Sequence, residues 1–232
     1  MLPFEPEVHV VYDKEHWDLL KMKREIALRF MGRLLSFGIK SYVYGSVARG
    51  DVRKASDIDI IVLEPVMPFS SVERILAELG DPVRREIVQA TPRSTPKFYI
   101  HYEDMVTVSF PLCHLAEKES FFYMFGGMND LRDIKRRVPG VNKKLMLIYP
   151  VEEGHASIGV VGREALVARI LSIPVKVVEE RVRVLRRRVE VGTTGLYLRY
   201  HLDAGENLEE AILRLSRAKK GFFRKMRSSG LI

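Results

Sequence analysis

The 232-residue chain is poor in side chains that build covalent or soft-metal frameworks: it has one cysteine, Cys113. A lone cysteine excludes an internal disulfide and any zinc site built on paired thiolates, which leaves Cys113 as a small apolar group. Side-chain amides are also scarce, with one glutamine (Gln89) and three asparagines (Asn129, Asn142 and Asn207) beside plentiful Arg, Glu, Val and Ile. That bias is one of heat-adapted proteins, so a thermophilic source is expected. No apolar run approaches the roughly 20 residues that a membrane-spanning helix needs. Met1 to Val10 lacks the basic start and apolar centre of a secretory signal, so the expected address is the cytoplasm and no membrane partner is expected.

A hydrophobic content of 47% is ample for a buried core, and the length suits one large domain or two small ones. The net charge of +8 is unevenly placed: residues 151–232 hold 16 Lys and Arg against 10 Asp and Glu. Either a polyanionic partner or a solvated basic surface accounts for that excess.

Periodicity orders the first half. Leu19, Met22, Ile26, Phe30 and Leu34 recur at three- and four-residue steps before Gly38, which predicts an amphipathic helix with a glycine stop. Ser41 to Tyr44 is short and β-prone, and Gly45-Ser46 then opens a small-residue segment that reads as a tight turn and a short helix. Ile58 to Leu63 is apolar at nearly every position, as a strand covered on both faces should be. Ser70-Ser71 before VERILAELG marks another helix, and Arg85–Ala90, Lys97–Tyr102 and Met105–Phe110 read as strands.

Asp57 and Asp59 stand two apart at the start of a strand, so both side chains point to one face and can share a divalent cation. Hard Mg²⁺ or Mn²⁺ held there and bridged to triphosphate oxygens would neutralise charge during in-line phosphoryl attack. Upstream, Gly45-Ser46 permits close backbone approach, and the helix that follows offers N–H groups to a phosphate. Ser46 adds a hydroxyl donor. Arg49 either contacts the triphosphate or pairs with a local carboxylate.

The run YGSVARGDVRKASDIDIIV, residues 44–62, resembles the polymerase-beta nucleotidyltransferase superfamily, whose pattern is hydrophobic-Gly-Ser, a spacer of about ten residues, and Asp-hydrophobic-Asp-hydrophobic. The order of elements agrees over residues 14–111. The resemblance implies that Gly45 and Ser46 position nucleotide phosphates and that Asp57 and Asp59 hold the metals. It implies a nucleoside triphosphate as substrate, with ATP the first candidate. Active members usually carry a third carboxylate on a later strand. Here that strand, Met105 to Phe110, presents Thr107 and Ser109 on its polar face. Glu103 or Asp104, at the turn before it, either reaches the site or is merely solvated. A missing general base would cost roughly 10²- to 10⁴-fold in rate. His101, His114 and His155 show no metal-ligand spacing and read as structural or surface residues.

In the second half, Arg163–Leu171 and Val175–Arg188 read as helices joined by Ser172-Ile173-Pro174. Val178, Val182 and Leu185 face inward in the second, which sets Arg181, Arg183, Arg186 and Arg187 outward with Lys176 and Arg188. Gly192 to Gly195 and the extended run after it would fit the wing of a winged helix, a fold that commonly lays its second helix in the DNA major groove. Residues 206–227 supply one or two more helices ending in Lys219, Lys220, Arg224, Lys225 and Arg227.

The expected fold class is α+β: a polymerase-beta-like mixed sheet flanked by helices over 1–118, a connector over 119–143, and a smaller, mainly helical, winged-helix-like domain over 144–232. The leading function is metal-dependent transfer of a nucleoside monophosphate to a hydroxyl acceptor. The rival is a nucleic-acid-binding or regulatory protein with a degenerate catalytic domain. A protein partner or a second copy of the chain is a further expectation.

Overall fold

The computed structural model of the chain describes residues 2–192 and 195–228. In order these form β1 (Val8–Val11), α1 (Lys14–Ser36), β2 (Tyr42–Tyr44), α2 (Ser46–Arg49), β3 (Ile58–Ile61), α3 (Ser71–Leu76), β4 (Arg84–Gln89), β5 (Lys97–His101) and β6 (Val106–Pro111). The chain continues through α4 (Glu117–Gly126), β7 (Met128–Asp130), β8 (Gly140–Val141), β9 (Met146–Val151), β10 (Gly154–Gly159), α5 (Glu164–Leu171), α6 (Val175–Val191), β11 (Leu198–His201), α7 (Leu208–Ala218) and α8 (Lys220–Arg227). The fold is α+β, as expected. Among the described residues no helix is long and apolar enough to cross a membrane.

The chain divides into two compact units, 1–28 with 42–58 and 117–194, and 29–41 with 59–116 and 195–232. They interleave along the sequence and do not follow one another as the expected 1–118 and 144–232 would.

The first unit holds an antiparallel sheet in the order β1-β10-β9-β8. Helices α5 and α6 share one core with it, built from Leu147, Ile158, Val160, Val167, Leu171, Val178 and Val182. The joint between the helices is sharp because Ser172 adopts a left-handed conformation (φ 53°) at the end of α5, where its N–H bonds back into the helix. Residues 131–135 are turns and 136–138 are irregular. Their carbonyls are claimed by side chains: Lys135 O and Arg136 O accept from Arg24, and Asp133 O and Arg136 O from Asn129. The stretch expected to be a connector is therefore part of this unit, with β7 paired antiparallel to β2.

In the second unit the strand order is β11-β4-β5-β6-β3. The run expected as a wing is β11, and it pairs antiparallel with β4, Leu198 opposite Gln89 and His201 opposite Glu86. The physical reason is that β4 would otherwise end in unpaired backbone groups, and β11 covers that edge while burying Leu198. Thr193 and Thr194, within the expected Gly192–Gly195 turn, lie outside the described residues. Helix α7 starts at Asn207, whose side chain accepts from the Glu210 N–H, and buries Leu208, Ala211, Ile212 and Leu215.

Helix α1 buries Leu20, Ala27, Phe30, Met31 and Leu34, whereas Met22 is exposed. The stripe is rotated from the predicted one because Lys23 and Arg24 lie on the buried side, where both make hydrogen bonds to backbone carbonyls.

Candidate active site

The Gly45-Ser46 turn belongs to the first unit. Gly45 has φ 81° and ψ −145°, a conformation open to glycine, and a Cβ built on it would meet nothing within 4 Å, so the space above the turn is free. Its N–H donates to Gly127 O at 2.8 Å. The four-residue α2 that follows ends at Gly50 (φ 104°), where an added Cβ would stand 2.5 Å from Arg137 Cδ.

The turn is fixed from behind by Arg24, which is buried. Its guanidinium donates to Val47 O and Ala48 O at 3.2 and 3.3 Å, and to Lys135 O and Arg136 O at 2.7 and 3.0 Å. Burial, and then the charge of Arg137, pull its pKa down to about 10. Arg49 is occupied in the same way. Nε and Nη2 grip Asp51 at 2.9 and 3.1 Å, and Nη1 donates to Gly126 O at 2.6 Å. Of its two expected roles, pairing with a local carboxylate is the one realised. Buried and with all three nitrogens engaged, Arg49 buttresses the turn and is not presented to a triphosphate.

The approach to β3 alternates in burial. Asp57 is exposed, Ile58 is buried, Asp59 is half-buried and Ile60 is buried. Within β3 the half-buried Asp59 alternates with the fully buried Ile58 and Ile60, and Asp57 is the exposed residue just before the strand. Upstream, Lys23 Nζ holds Ser56 O at 2.7 Å, one residue before Asp57. Among the described residues no group of three His, Cys, Asp or Glu side chains is disposed to hold a metal ion. Two hard carboxylates together with phosphate oxygens are a donor set that suits Mg²⁺ or Mn²⁺.

Asp59 opens the polar face of the second unit's sheet. Residues opposite each other in antiparallel strands share a face. The register sets His101 opposite both Arg84 and Thr107, Tyr99 opposite both Glu86 and Ser109, and His201 opposite Glu86. Burial pushes the Tyr99 hydroxyl up to about 12, with the Asp59 and Glu86 carboxylates adding to the effect. Tyr99 thus lies within reach of the Asp59 charge, and its ring stacks parallel to that of His101 at 6.3 Å. Beside β3, Ser109 O accepts from Val62 N at 2.9 Å and Ser109 Oγ donates to Ile60 O at 3.3 Å.

Three residues on this face escaped the sequence reading as functional candidates: Glu86, Tyr99 and His101. Glu86 is buried, 3% exposed. Its carboxylate accepts from Arg199 Nε at 2.7 Å and meets His101 Nε2 at 3.0 Å, with Arg84 and His201 at 3.5 and 3.6 Å. Burial alone would raise its pKa, but the bonds from Arg199 and His101 and the nearby positive charges hold it below the ordinary carboxylate value. His101 Nδ1 lies 3.0 Å from Thr107 Oγ1. Burial holds the His101 pKa down, against the pull of Glu86. The only hint in the sequence is the alternation of polar residues along β4, β5 and β6; their meeting on one face is a matter of register.

Glu103 and Asp104 are exposed, on a turn where Asp104 and Met105 take left-handed φ of 56° and 58°. His155 Nδ1 is 2.7 Å from the Tyr12 hydroxyl, and His114 is exposed beside Glu64.

On α6, Arg183, Arg186 and Arg187 are exposed, but Arg181 is not part of that face. Its guanidinium lies 4.7 Å from the centre of the Phe122 ring and 6.0 Å from that of Phe125, a stacked cation that α4 draws inward. Burial, and then Arg188, hold its pKa below the ordinary value.

Residues 24–101 match the family model of the nucleotidyltransferase domain. That match, over about a third of the chain, contains Gly45, Ser46, Asp57 and Asp59, and nucleotidyl transfer in general is the activity that this family of domains stands for. No curated protein and no solved structure matches the chain.

Proposed function

We propose that the protein is a metal-dependent nucleotidyltransferase that moves a nucleoside monophosphate from a nucleoside triphosphate, ATP first among them, to a hydroxyl acceptor and releases pyrophosphate. The observation that supports this reading is the alternation of exposed Asp57 and half-buried Asp59 with fully buried Ile58 and Ile60, inside the segment matched by the family. Asp57 and Asp59 would hold Mg²⁺ or Mn²⁺, which supplies charge neutralisation at the triphosphate and lowers the pKa of the attacking hydroxyl. Gly45 leaves room for phosphates to approach the backbone, and the Ser46 hydroxyl donates to one of them. Arg24 and Arg49 keep the turn in shape.

The test is incubation with labelled ATP, Mg²⁺ or Mn²⁺, and RNA, DNA and protein acceptors. Transfer should occur in the wild type and vanish in Asp57→Ala and Asp59→Ala with the fold retained; activity kept in both variants would refute the site.

A second reading is favoured by one observation, the hydroxyl of Thr107 where a third acid is the family habit. In it the domain binds nucleotide without turnover, and the exposed Arg183, Arg186 and Arg187 of α6 bind nucleic acid. ATP binding without transfer to any acceptor would select it. A fixed partner protein recovered as the labelled acceptor would instead identify the chain as a protein-modifying enzyme.

A further inference from the structure

The polar face of the second unit carries a connected chain of three side chains that the nucleotidyltransferase motif does not include. Glu86 on β4, His101 on β5 and Thr107 on β6 are joined by two hydrogen bonds of 3.0 Å each. The acid at one end is buried and held charged by Arg199, Arg84 and His101. Nε2 meets the Glu86 carboxylate at 3.0 Å and, farther off, the Arg84 Nη2 donor at 3.3 Å. The relay uses the tautomer set by the nearer, charged carboxylate, in which Nε2 carries the proton and donates to Glu86 and the Nδ1 lone pair accepts the Thr107 hydroxyl hydrogen. The order hydroxyl, imidazole, carboxylate is that of a proton relay. Its hydroxyl end lies on β6, the neighbour of β3, on the face where Tyr99 senses the charge of Asp59.

Resting on the nucleotidyl-transfer reading above, we propose that Thr107, backed by His101 and Glu86, takes the proton of the acceptor hydroxyl and so replaces the third carboxylate. The step balances. The acceptor oxygen forms a bond to the α-phosphorus as the bond from that phosphorus to the pyrophosphate oxygen breaks. The acceptor proton passes to Thr107 Oγ1 as the Thr107 proton passes to His101 Nδ1. The resulting imidazolium is stabilised by Glu86 and later returns its proton to solvent. Thr107 is the group that touches the acceptor, and His101 and Glu86 act through it. The carboxylate has therefore not been lost from the sheet face; it stands on β4 and is connected to the β3 side by an imidazole.

The groups that face His101 set its titration from every side: Arg84 and Glu86 on β4, Tyr99 on its own strand, Thr107 on β6, and Arg199 and His201 on β11. Burial, Arg84 and Arg199 disfavour the imidazolium and Glu86 favours it. At neutral pH the ring is unprotonated and ready to accept.

The experiment uses the full chain and has two arms. In the first, the His101 ring is followed by NMR against pH, its signal assigned from His101→Asn. It should titrate below the ordinary value of about 6.5 and move lower still in Glu86→Gln. A His101 titration unchanged by Glu86→Gln overturns the relay. The second arm measures transfer from ATP with Mg²⁺ to an oligoribonucleotide with a free 3′ hydroxyl and to the chain itself. His101→Asn and Thr107→Val should each lower kcat by about 10²- to 10⁴-fold. The KM for ATP should stay within about threefold. The acidic limb of the pH–rate profile should vanish in His101→Asn, and Thr107→Ser should restore most of the rate. Unchanged kcat in His101→Asn, or an acidic limb that survives it, refutes the proposal while leaving nucleotidyl transfer intact. ATP bound but transferred by the wild type to neither acceptor refutes the relay and favours the reading without turnover, and ATP not bound at all refutes both readings of the domain.

Discussion

The two faces of the second unit's sheet use the same strands for opposite purposes. One face is an apolar layer in which Ile58, Ile60, Ile87, Phe98, Ile100, Val108 and Phe110 are all fully buried. The other carries Asp59, Glu86, Tyr99, His101, Thr107 and Ser109, of which Glu86, His101 and Thr107 are joined by hydrogen bonds. The apolar face is held by area and close packing, which tolerate shifts of contact but not loss of volume. The polar face depends on geometry, because a buried polar group without its partner loses more than the bond was worth. Substitutions should therefore uncouple stability from chemistry, each face failing in its own way.

The largest expected effect is on the polar face: Asp59→Ala should reduce transfer to background while the thermal unfolding midpoint stays near that of the wild type. An unfolded or destabilised Asp59→Ala would show that the carboxylate is part of the scaffold, and the division between faces would break. On the apolar face, Phe110→Ala should cost about 3–5 kcal/mol of unfolding free energy in denaturant titration. Once the folded fraction is counted, its rate per folded molecule should be that of the wild type.

The first unit offers a mixed case. Arg24→Met keeps the stem of the side chain but strands four carbonyls, and should destabilise by about 3 kcal/mol. ATP affinity should fall further than folding alone explains, since the turn at Gly45 loses its support. Equal losses in both would mean that the turn does not depend on Arg24.

A smaller effect comes from pH. Glu86 has a lowered folded pKa, so its stabilisation is present above the unfolded value and is lost as pH falls through the folded one. His101 has a lowered folded pKa as well, so the unfolded chain binds its proton first, and stability begins to fall below about pH 6.5. Both push the same way: the midpoint should drop from pH 7 to pH 4, and less steeply in the double variant Glu86→Gln, His101→Asn. A slope unchanged by that pair would assign acid lability elsewhere. Smallest of all, Arg183, Arg186 and Arg187 changed together to alanine should flatten the salt dependence of nucleic-acid binding by up to about three phosphate contacts, whereas Arg181→Ala should mainly affect stability through Phe122.

Much of the candidate site is legible in the chain, because its signals are local. The Gly45-Ser46 turn needs a positive φ that a glycine announces, and the Asp57–Asp59 spacing needs only the twofold period of a strand. Helices α5 and α6 were marked by three- and four-residue steps around a proline. The wing was misplaced because an extended run such as 196–202 does not reveal its partner: it fits a hairpin against its own helices as well as an open edge 110 residues away. Arg181 was placed outward because helical periodicity counts Phe122 as absent, and only α4 brings that ring to it.

The sequence alone determined a strand at Ile58–Ile61 entered through Asp57 and carrying Asp59, a glycine turn before it, and a basic second half, since each follows from backbone stereochemistry or from composition. Tertiary structure decided what the remaining polar residues are for. Glu86, His101 and Thr107 are separated by 15 and 6 positions in the chain, and register across three antiparallel strands is what brings them within hydrogen-bonding distance. Pairing of this kind is set by which side of each strand the core claims, and no single strand contains that information.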